Sequence, residues 1–331
     1  MTNSGSKPIH ILLASFNGSK HISSQISSII NQSYNNINLT IRDDGSSDNT
    51  VTTIKEFICN SKKYNIELIE NESFDIGHCK NFSGLCESIL TKDLGYFCFS
   101  DQDDVWLPEK VSVLQTRMIE LETLHGKGTP ILIHSDLSVV DEQLNEIAPS
   151  FIEYQGLPNP SDHSFPEFLY QNVVTGCACM FNRALLDIAA PIPSHAVVHD
   201  WWFALCAEYF GVVDFINQPL VKYRQHGNNA IGAISAKQQY NLLSPHIYKA
   251  LMRFPQHLSK SIDQAGALLN RIENKHINEN NKRIIAIEQF SNIKQSNVFA
   301  RASFVKQYMK GKRSFGKLVY LYLVFTLVKW F

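Results

Sequence analysis

Asp101, Asp103 and Asp104 fall within four positions, interrupted by Gln102. Like charges crowded so closely repel unless a cation or several hydrogen-bond donors sit among them. A divalent ion answers that demand, and an all-oxygen donor set suits Mg²⁺ or Mn²⁺, which keep waters and share their remaining positions with phosphates. The competing reading is an Asp-rich turn capping a helix that starts near Pro108, because Asp favours turns and helix N-termini. Further acids at Asp43, Asp44 and Asp48, and Asp200 ahead of Trp201 and Trp202, extend the groups able to bind a ligand or move a proton.

Positioning such groups requires strands. The apolar run Leu94 to Phe99 delivers the acids at 101–104 to its end, and Ile9 to Ala14 reads as a buried strand ending in the turn Ser15-Phe16-Asn17-Gly18. Ile22, Ile26, Ile29 and Ile30 recur at helical spacing, and Ile37 to Ile41 is a second strand running into Asp43 and Asp44. Strand, helix and strand form a βαβ unit, parallel and right-handed. Val51, Ile54, Phe57 and Ile58 give another helical stripe, and Ile66 to Ile69 another short strand. The loops at 14–18, 43–48 and 101–104 all follow strands. Open parallel sheets bind ligands outside the carboxyl ends of their strands, so the three loops converge on one crevice.

Composition agrees. The 331 residues leave room for one large α/β domain and an extension, and 44% hydrophobic residues excludes a disordered chain. A net charge of −1 gives no reason to expect nucleic acid as a partner. The seven cysteines lie in apolar runs such as Cys98 and Cys177-Ala178-Cys179, or on helical stretches such as Cys206. They read as core thiols of a reducing cytosol, and Cys-Ala-Cys lacks the spacing of a zinc knuckle. The N-terminal residues run directly into the first strand, which gives no expectation of a signal peptide.

The series Ala14-Ser15-Phe16-Asn17-Gly18, Asn31-Gln32-Ser33-Tyr34, Asp43-Asp44-Gly45-Ser46-Ser47-Asp48-Asn49-Thr50 and Asp101-Gln102-Asp103-Asp104 resembles the family 2 glycosyltransferases over roughly residues 8 to 230. The strings Ser100 to Trp106, His199-Asp200-Trp201-Trp202 and Tyr223-Arg224-Gln225-His226-Gly227-Asn228-Asn229 resemble the bacterial rhamnosyltransferase-like branch. The resemblance implies an α/β GT-A fold, a mostly parallel sheet flanked by helices that binds a nucleotide sugar with a divalent cation. Residues 1–235 would form that domain and 236–331 a helical extension. It also implies a hexosyltransferase-type enzyme, inverting and dependent on Mn²⁺ or Mg²⁺.

Carried over position by position, the resemblance assigns Ala14, Ser15 and Asn17 to the first nucleotide loop and Asp44 to the imide N–H of a uracil or thymine. Asp43 and Asp48 fit turn and cap chemistry before the helix at Thr50. Asp101 and Asp103 match the Asp-X-Asp element, and Asp101, Asp103 and Asp104 form the metal set, with Asp103 or Asp104 the direct ligand. Asp101 also counts among the donor-binding residues. Phe16 stands where a hydroxyl-bearing Tyr is commoner, which shifts recognition there toward backbone groups. Departure of a nucleoside diphosphate builds negative charge that cations stabilise in the transition state. Lys80, Arg224 and His226 are candidate diphosphate contacts. Their alternatives are a solvated helix-start lysine and a loop histidine bonded to backbone.

The second half supplies the acceptor side and the base. Ile131 to Asp136 reads as a strand, Leu137 to Asp141 as its extension or a turn, and Asn172 to Phe181 as a β-rich run broken by Gly176. Gly176, Trp201 and Trp202 are assigned to the acceptor side, the indoles packing the wall or stacking on a sugar, with core packing the alternative for at least one of them. Asp200 matches the family's general base; the alternative is an N-cap carboxylate favoured by the helix dipole.

Beyond about residue 235, stripes such as Leu258, Ile262, Ala265, Leu268, Leu269 and Ile272 indicate helices. The end, Lys310 to Phe331, is basic and then apolar and aromatic, too short for a confident span of about 20 residues. It fits docking on an anionic cytoplasmic leaflet, or packing on the domain or on a second subunit of a homodimer. The expected enzyme is cytoplasmic and peripheral at the inner face of the membrane, takes dTDP-L-rhamnose or next a UDP-sugar (galactose, glucose or N-acetylglucosamine), and extends a glycan or lipid-linked oligosaccharide such as an O-antigen. The alternative is a nucleotide-sugar or glycan-binding scaffold without turnover. A nucleotidyltransferase would carry a Gly-rich phosphate loop with a basic residue, which Ser15-Phe16-Asn17-Gly18 does not supply.

Overall fold

The computed structural model describes residues 8–61, 64–71, 76–92, 95–227, 245–274, 282–309, 322 and 325–326. The chain divides into two compact units, one of residues 1–161, 174–192 and 198–236, the other of 162–173, 193–197 and 237–331.

The first unit is built on a nine-stranded sheet. Its strands are β1 (Ile9–Ser15), β2 (Ile37–Asp43), β3 (Asn65–Glu70), β4 (Tyr96–Ser100), β5 (Val105–Trp106), β6 (Ile131–Val140), β7 (Glu146–Ala148), β8 (Cys179–Asn182) and β9 (Val212–Arg224). They lie in the order β3-β2-β1-β4-β8-β6-β9-β5, with β7 against β6. β3, β2, β1 and β4 are mutually parallel, as are β6 and β9. β1 and β4 are buried along their whole length, which is why they read as unbroken apolar runs. β1 pairs with β2 on one side and β4 on the other, so the strand order reverses there, and a crevice opens at such a switch point.

β8 runs antiparallel to both its neighbours, with Tyr96 opposite Asn182 and Phe97 opposite Phe181. An antiparallel strand begins where its neighbour ends. The turn preceding β8, a 3-10 helix at Gly176–Ala178, therefore stands beside the acids that follow β4.

The helices include α1 (Ile22–Ile30), α2 (Thr50–Asn60), α3 (His78–Ile89), α4 (Lys110–His125), α5 (Phe151–Gln155), α7 (Arg183–Ala189) and α8 (His199–Phe210). α8 buries Trp201, Trp202, Phe203, Ala204, Leu205, Cys206 and Ala207 in succession, the pattern of a helix covered on every side. The His199 ring stacks on Phe82 at 3.7 Å between centroids and meets Phe99 edge-on, and Phe99 in turn packs on Phe82, Phe181 and Phe203. All seven cysteines are free thiols, five of them buried.

Of the two readings of residues 137–141, the strand extension holds for 137–140, which continue β6 with partners on β9 that run through to Val140 opposite Arg224. One sequence expectation differs from the structure. The run 172–178 is not strand; only Cys179–Asn182 joins the sheet, since the 3-10 turn occupies Gly176–Ala178.

The second unit contains the short α6 (Phe165–Phe168) and the helices α9 (Pro245–Asn274), α10 (Lys282–Ser291) and α11 (Val298–Tyr308). Leu258, Ile262, Ala265, Leu268 and Ile272 form the buried stripe of α9. The expected membrane-docking or packing segment, Lys310 to Phe331, lies outside the described residues except at 322, 325 and 326. Phe325 is buried, its ring centroid 6.5 Å from that of Phe290 and 6.2 Å from that of Phe304. Among the described residues no helix is long and apolar enough to cross a membrane.

Candidate active site

The three loops after β1, β2 and β4 are tied together. Ser15 Oγ donates to Asp43 Oδ2 at 2.8 Å, and Asp43 also accepts from the Ser46 N–H and hydroxyl, both at 2.7 Å. Asp43 thus closes the turn around Gly45, which has φ +80°. Asp48 accepts from the N–H groups of Thr50 at 2.9 Å and Ser19 at 3.1 Å. Burial opposes its charge, but these hydrogen bonds outweigh burial and hold the carboxyl below its usual range. Both acids carry the turn and cap chemistry expected of them. Asn17 takes φ +49°, a left-handed conformation that Asn tolerates. Its N–H donates to Ser46 Oγ at 2.8 Å and its Oδ1 accepts from the Ser47 N–H at 2.9 Å. Ala14 and Ser15 are buried at the end of β1.

Asp44 is 2% exposed, with Oδ1 accepting from Asn71 Nδ2 at 2.9 Å and Oδ2 from the Gly77 N–H at 3.1 Å. Two donors leave lone pairs on a carboxylate that can accept a third. The Phe16 backbone is different: Gln102 Oε1 takes its N–H at 2.8 Å and Gln102 Nε2 donates to its carbonyl at 2.9 Å. Both backbone groups of Phe16 are thus engaged by Gln102.

The acids at 101–104 separate by environment. The Asp101 side chain is 28% exposed, Asp103 17%, and Asp104 is fully buried. Burial first, then the neighbouring acids, raise the pKa values of Asp103 and Asp104, Asp104 far more. Asp104 Oδ1 accepts from the Arg224 N–H at 3.2 Å, while Oδ2 has no N–H or O–H donor. Asp101, Asp104 and Cys177 present ligand atoms within 4.8 Å of one another, a set that could hold a metal ion. Asp103 stands outside that trio, its Oδ2 bonded to His226 Nε2 at 2.8 Å. Burial, then Asp104 and Asp101, push the Cys177 thiol well up, so it remains protonated at neutral pH. A neutral thiol is a poor partner for Mg²⁺ or Mn²⁺, whereas the carboxylate oxygens, one of them buried without an N–H or O–H donor, suit either.

Arg224, expected at the diphosphate, is 5% exposed. Its Nε donates to the Asp103 carbonyl at 2.8 Å and one terminal nitrogen to the Glu142 carbonyl at 2.6 Å. The guanidinium is a clamp on the acidic loop. His226 Nε2 bonds the Asp103 carboxylate, and its ring stacks on that of His21 at 5.0 Å between centroids. Lys80 is exposed in the first turn of α3.

On the opposite wall, Asp200 occupies the first turn of α8. Its Oδ2 accepts from the Gly176 N–H at 2.8 Å and its Oδ1 from the Trp201 N–H at 2.6 Å. Burial, and to a lesser extent Asp101, overcome these hydrogen bonds and lift its pKa to about 6. Gly176 is needed for space, since a Cβ there would lie 2.5 Å from His199 Nε2 and 3.2 Å from Asp200 Cβ. Trp201 and Trp202 are 1% and 0% exposed, and Trp202 Nε1 donates to the Ala189 carbonyl at 2.8 Å. Both indoles belong to the core, so neither offers a face to a sugar.

Sequence reasoning missed His78, whose Nε2 lies 3.1 Å from Asp101 Oδ1 and whose ring sits 4.9 Å from that of His199. Burial disfavours its charge, but the hydrogen bond and charge of Asp101, with Asp200 and Asp103, outweigh it and raise its pKa. A titratable residue at the first position of a helix, two before Lys80, was the available signal. Cys177 and Gln102 were missed as well, hidden inside strings read for their neighbours.

The family model described as glycosyl transferase family 2 matches residues 10–187, more than half of the chain. Among curated proteins, the dTDP-rhamnosyl transferase RfbG of Shigella flexneri is 27% identical over 242 residues, covering 70% of this chain and 78% of its own. The Escherichia coli UDP-Glc:alpha-D-GlcNAc-diphosphoundecaprenol beta-1,3-glucosyltransferase WfgD is 31% identical over 150 residues, 45% of this chain and 54% of its own. Among solved structures, S. aureus TarS in complex with UDP aligns with TM-score 0.54 at 11% identity, covering 90% of this chain and 80% of that one. GalNAc-T7 with UDP, GalNAc and Mn²⁺ aligns with TM-score 0.54 at 12% identity, covering 83% and 55%. These neighbours share the GT-A fold. With the match spanning β1 through α7, the protein belongs to glycosyl transferase family 2 and is a hexosyltransferase-type enzyme.

Proposed function

We propose that this chain is an inverting, metal-dependent glycosyltransferase that moves L-rhamnose from dTDP-L-rhamnose onto a lipid-linked bacterial surface glycan such as an O-antigen. The observation that carries this reading is the Asp200 carboxylate. Gripped by two backbone N–H groups and raised to about 6, it is ionised at neutral pH yet basic enough to take a proton from an acceptor hydroxyl as attack begins. Attack from the face opposite the leaving group inverts the anomeric centre. The match to RfbG supports the rhamnosyl donor, and that to WfgD supports a lipid-linked acceptor.

In this reading Asp44 accepts the imide N–H of the pyrimidine, and Ala14, Ser15 and Asn17 line the nucleotide. Asp101 and Asp104 would hold Mn²⁺ or Mg²⁺, joined by Asp103 through the carboxylate oxygen that His226 does not take, and the ion when bound stabilises the charge growing on the departing diphosphate. His78 Nε2 stands 3.1 Å from Asp101 Oδ1, and Lys80 is exposed in the same helical turn, a cation within the segment that faces the acids. Gly176 holds the base, and the acceptor enters on its side. The enzyme works at the inner face of the cell membrane, supported by the basic and apolar sequence of Lys310 to Phe331.

A UDP-sugar donor is the second reading, favoured by the match to WfgD. Asp44 suits uracil and thymine equally, so the sugar decides between them. Purified protein is to be given dTDP-L-rhamnose or UDP-glucose with a diphosphoundecaprenol-linked acceptor, with and without Mn²⁺, and the product linkage read by NMR. Rhamnosyl product with inverted configuration, reduced about a thousandfold in Asp200→Asn, is the expected result. Glucosyl product would establish the second reading. Donor binding without turnover would mark a scaffold.

A further inference from the structure

Gln102 sits between the two acids of the Asp-X-Asp element, yet its carboxamide reaches away from them to the loop after β1. Oε1 accepts the Phe16 N–H at 2.8 Å and Nε2 donates to the Phe16 carbonyl at 2.9 Å. One planar amide thus does for Phe16 what a neighbouring strand would do. Only this amide orientation works, because the reverse sets N–H against N–H and oxygen against oxygen.

Gly18 is shaped to the same contact. A Cβ there would lie 2.1 Å from Gln102 Oε1 and 2.4 Å from its amide carbon. Glycine supplies space at this position. The loop is held equally firmly on its other side, where Asn17 bonds Ser46 and Ser47 and the Gly18 N–H donates to Thr50 Oγ1 at 2.8 Å. The chain of contacts therefore runs without a break from the acidic loop, through Gln102 and residues 16–18, to the turn that carries Asp44.

We propose that Gln102 is a positioning residue that couples the two halves of the donor site, so that a cation at the acidic loop strengthens nucleotide binding at residues 14–18 and 44, and the nucleotide strengthens cation binding equally. This rests on the donor-site reading given above. Displacement of the acidic loop by a bound ion moves Gln102, and Phe16 follows because both of its backbone groups are held. Reciprocity is then a thermodynamic requirement.

Calorimetric titration of the full chain with UDP and with dTDP, each with and without Mn²⁺, tests the coupling. Mn²⁺ should raise nucleotide affinity in the wild type, and Gln102→Ala and Gln102→Glu should each reduce that gain on the order of tenfold. Gln102→Glu keeps the size and the acceptor but sets a carboxylate oxygen against the Phe16 carbonyl, so it separates coupling from packing. Gly18→Ala alone should act like Gln102→Ala, and in the Gln102→Ala background it should add nothing, because the atom it strikes has gone. Melting temperatures of all variants verify folding. Folded variants that keep the full Mn²⁺-dependent gain, or Gly18→Ala and Gln102→Ala penalties that simply add, overturn the inference alone. A wild-type chain that binds neither nucleotide overturns the donor-site reading and the coupling with it.

Discussion

The Gly176 N–H points at Asp200 Oδ2 from 2.8 Å, and the same glycine leaves room for the His199 ring and the Asp200 Cβ that a methyl group would strike. One residue without a side chain thus sets both the hydrogen bond and the position of the proposed base.

Gly176→Ala should therefore displace Asp200 while leaving the sheet intact. Because misplacement of a reacting group by about 1 Å can cost about a hundredfold in rate, a fall in kcat of that order is expected with little change in donor KM. Steady-state kinetics alongside a thermal melt checks it; an unchanged kcat would mean that the hydrogen bond does not position the base.

Protonation of Asp200 should switch the enzyme off in acid. With its pKa lifted to about 6 by burial, kcat/KM should be level above that pH and fall about tenfold per unit below it, because only the ionised carboxylate accepts a proton. A pH–rate profile with a metal-saturated donor measures the inflection. An inflection near 4 would show that water reaches the Asp200 carboxyl in the free enzyme and that burial does not lift its pKa.

Arg224→Met removes the clamp on the acidic loop and leaves the Asp103 and Glu142 carbonyls without their charged donor. Loss of about 3 kcal/mol of unfolding free energy is expected, together with weaker Mn²⁺ binding. Urea denaturation and metal titration read the two effects. If activity falls with stability unchanged, Arg224 contacts the donor directly.

Trp202→Phe tests the core assignment. The indole N–H bonded to the Ala189 carbonyl is lost, at a cost of about 1 kcal/mol, while acceptor KM should stay constant. A raised KM at unchanged stability would return this residue to the acceptor side.

Much of this architecture is legible in the sequence, for definite reasons. β1, β2 and β4 are covered on both faces or nearly so, and their side chains report that burial as apolar runs. The helix stripe of α1 and the turn chemistry of Asp43 are local, and local rules describe them. What escaped depends on contacts far apart in the chain. The clamp made by Arg224 escaped because nothing in its string reveals that Asp103 and Glu142 turn their carbonyls toward it. Core packing is expected for at least one of Trp201 and Trp202, but adjacent aromatic residues face different sides of a helix, and that both are buried depends on elements distant in the chain. His78 and Cys177 acquire meaning from Asp101, which is 23 positions from one and 76 from the other by their numbering.

The reversal of β8 has a consequence for how such a chain diversifies. Every group assigned to the nucleotide before Arg224 is encoded between Ala14 and Asp104, while Gly176 and Asp200 come from later segments that reach the same rim from the opposite direction. A single inverted strand acts as the seam between them. On the proposed assignment, insertions or exchanges in the stretch from β6 to α8 would remodel what is glycosylated while the reagent that supplies the sugar stays the same.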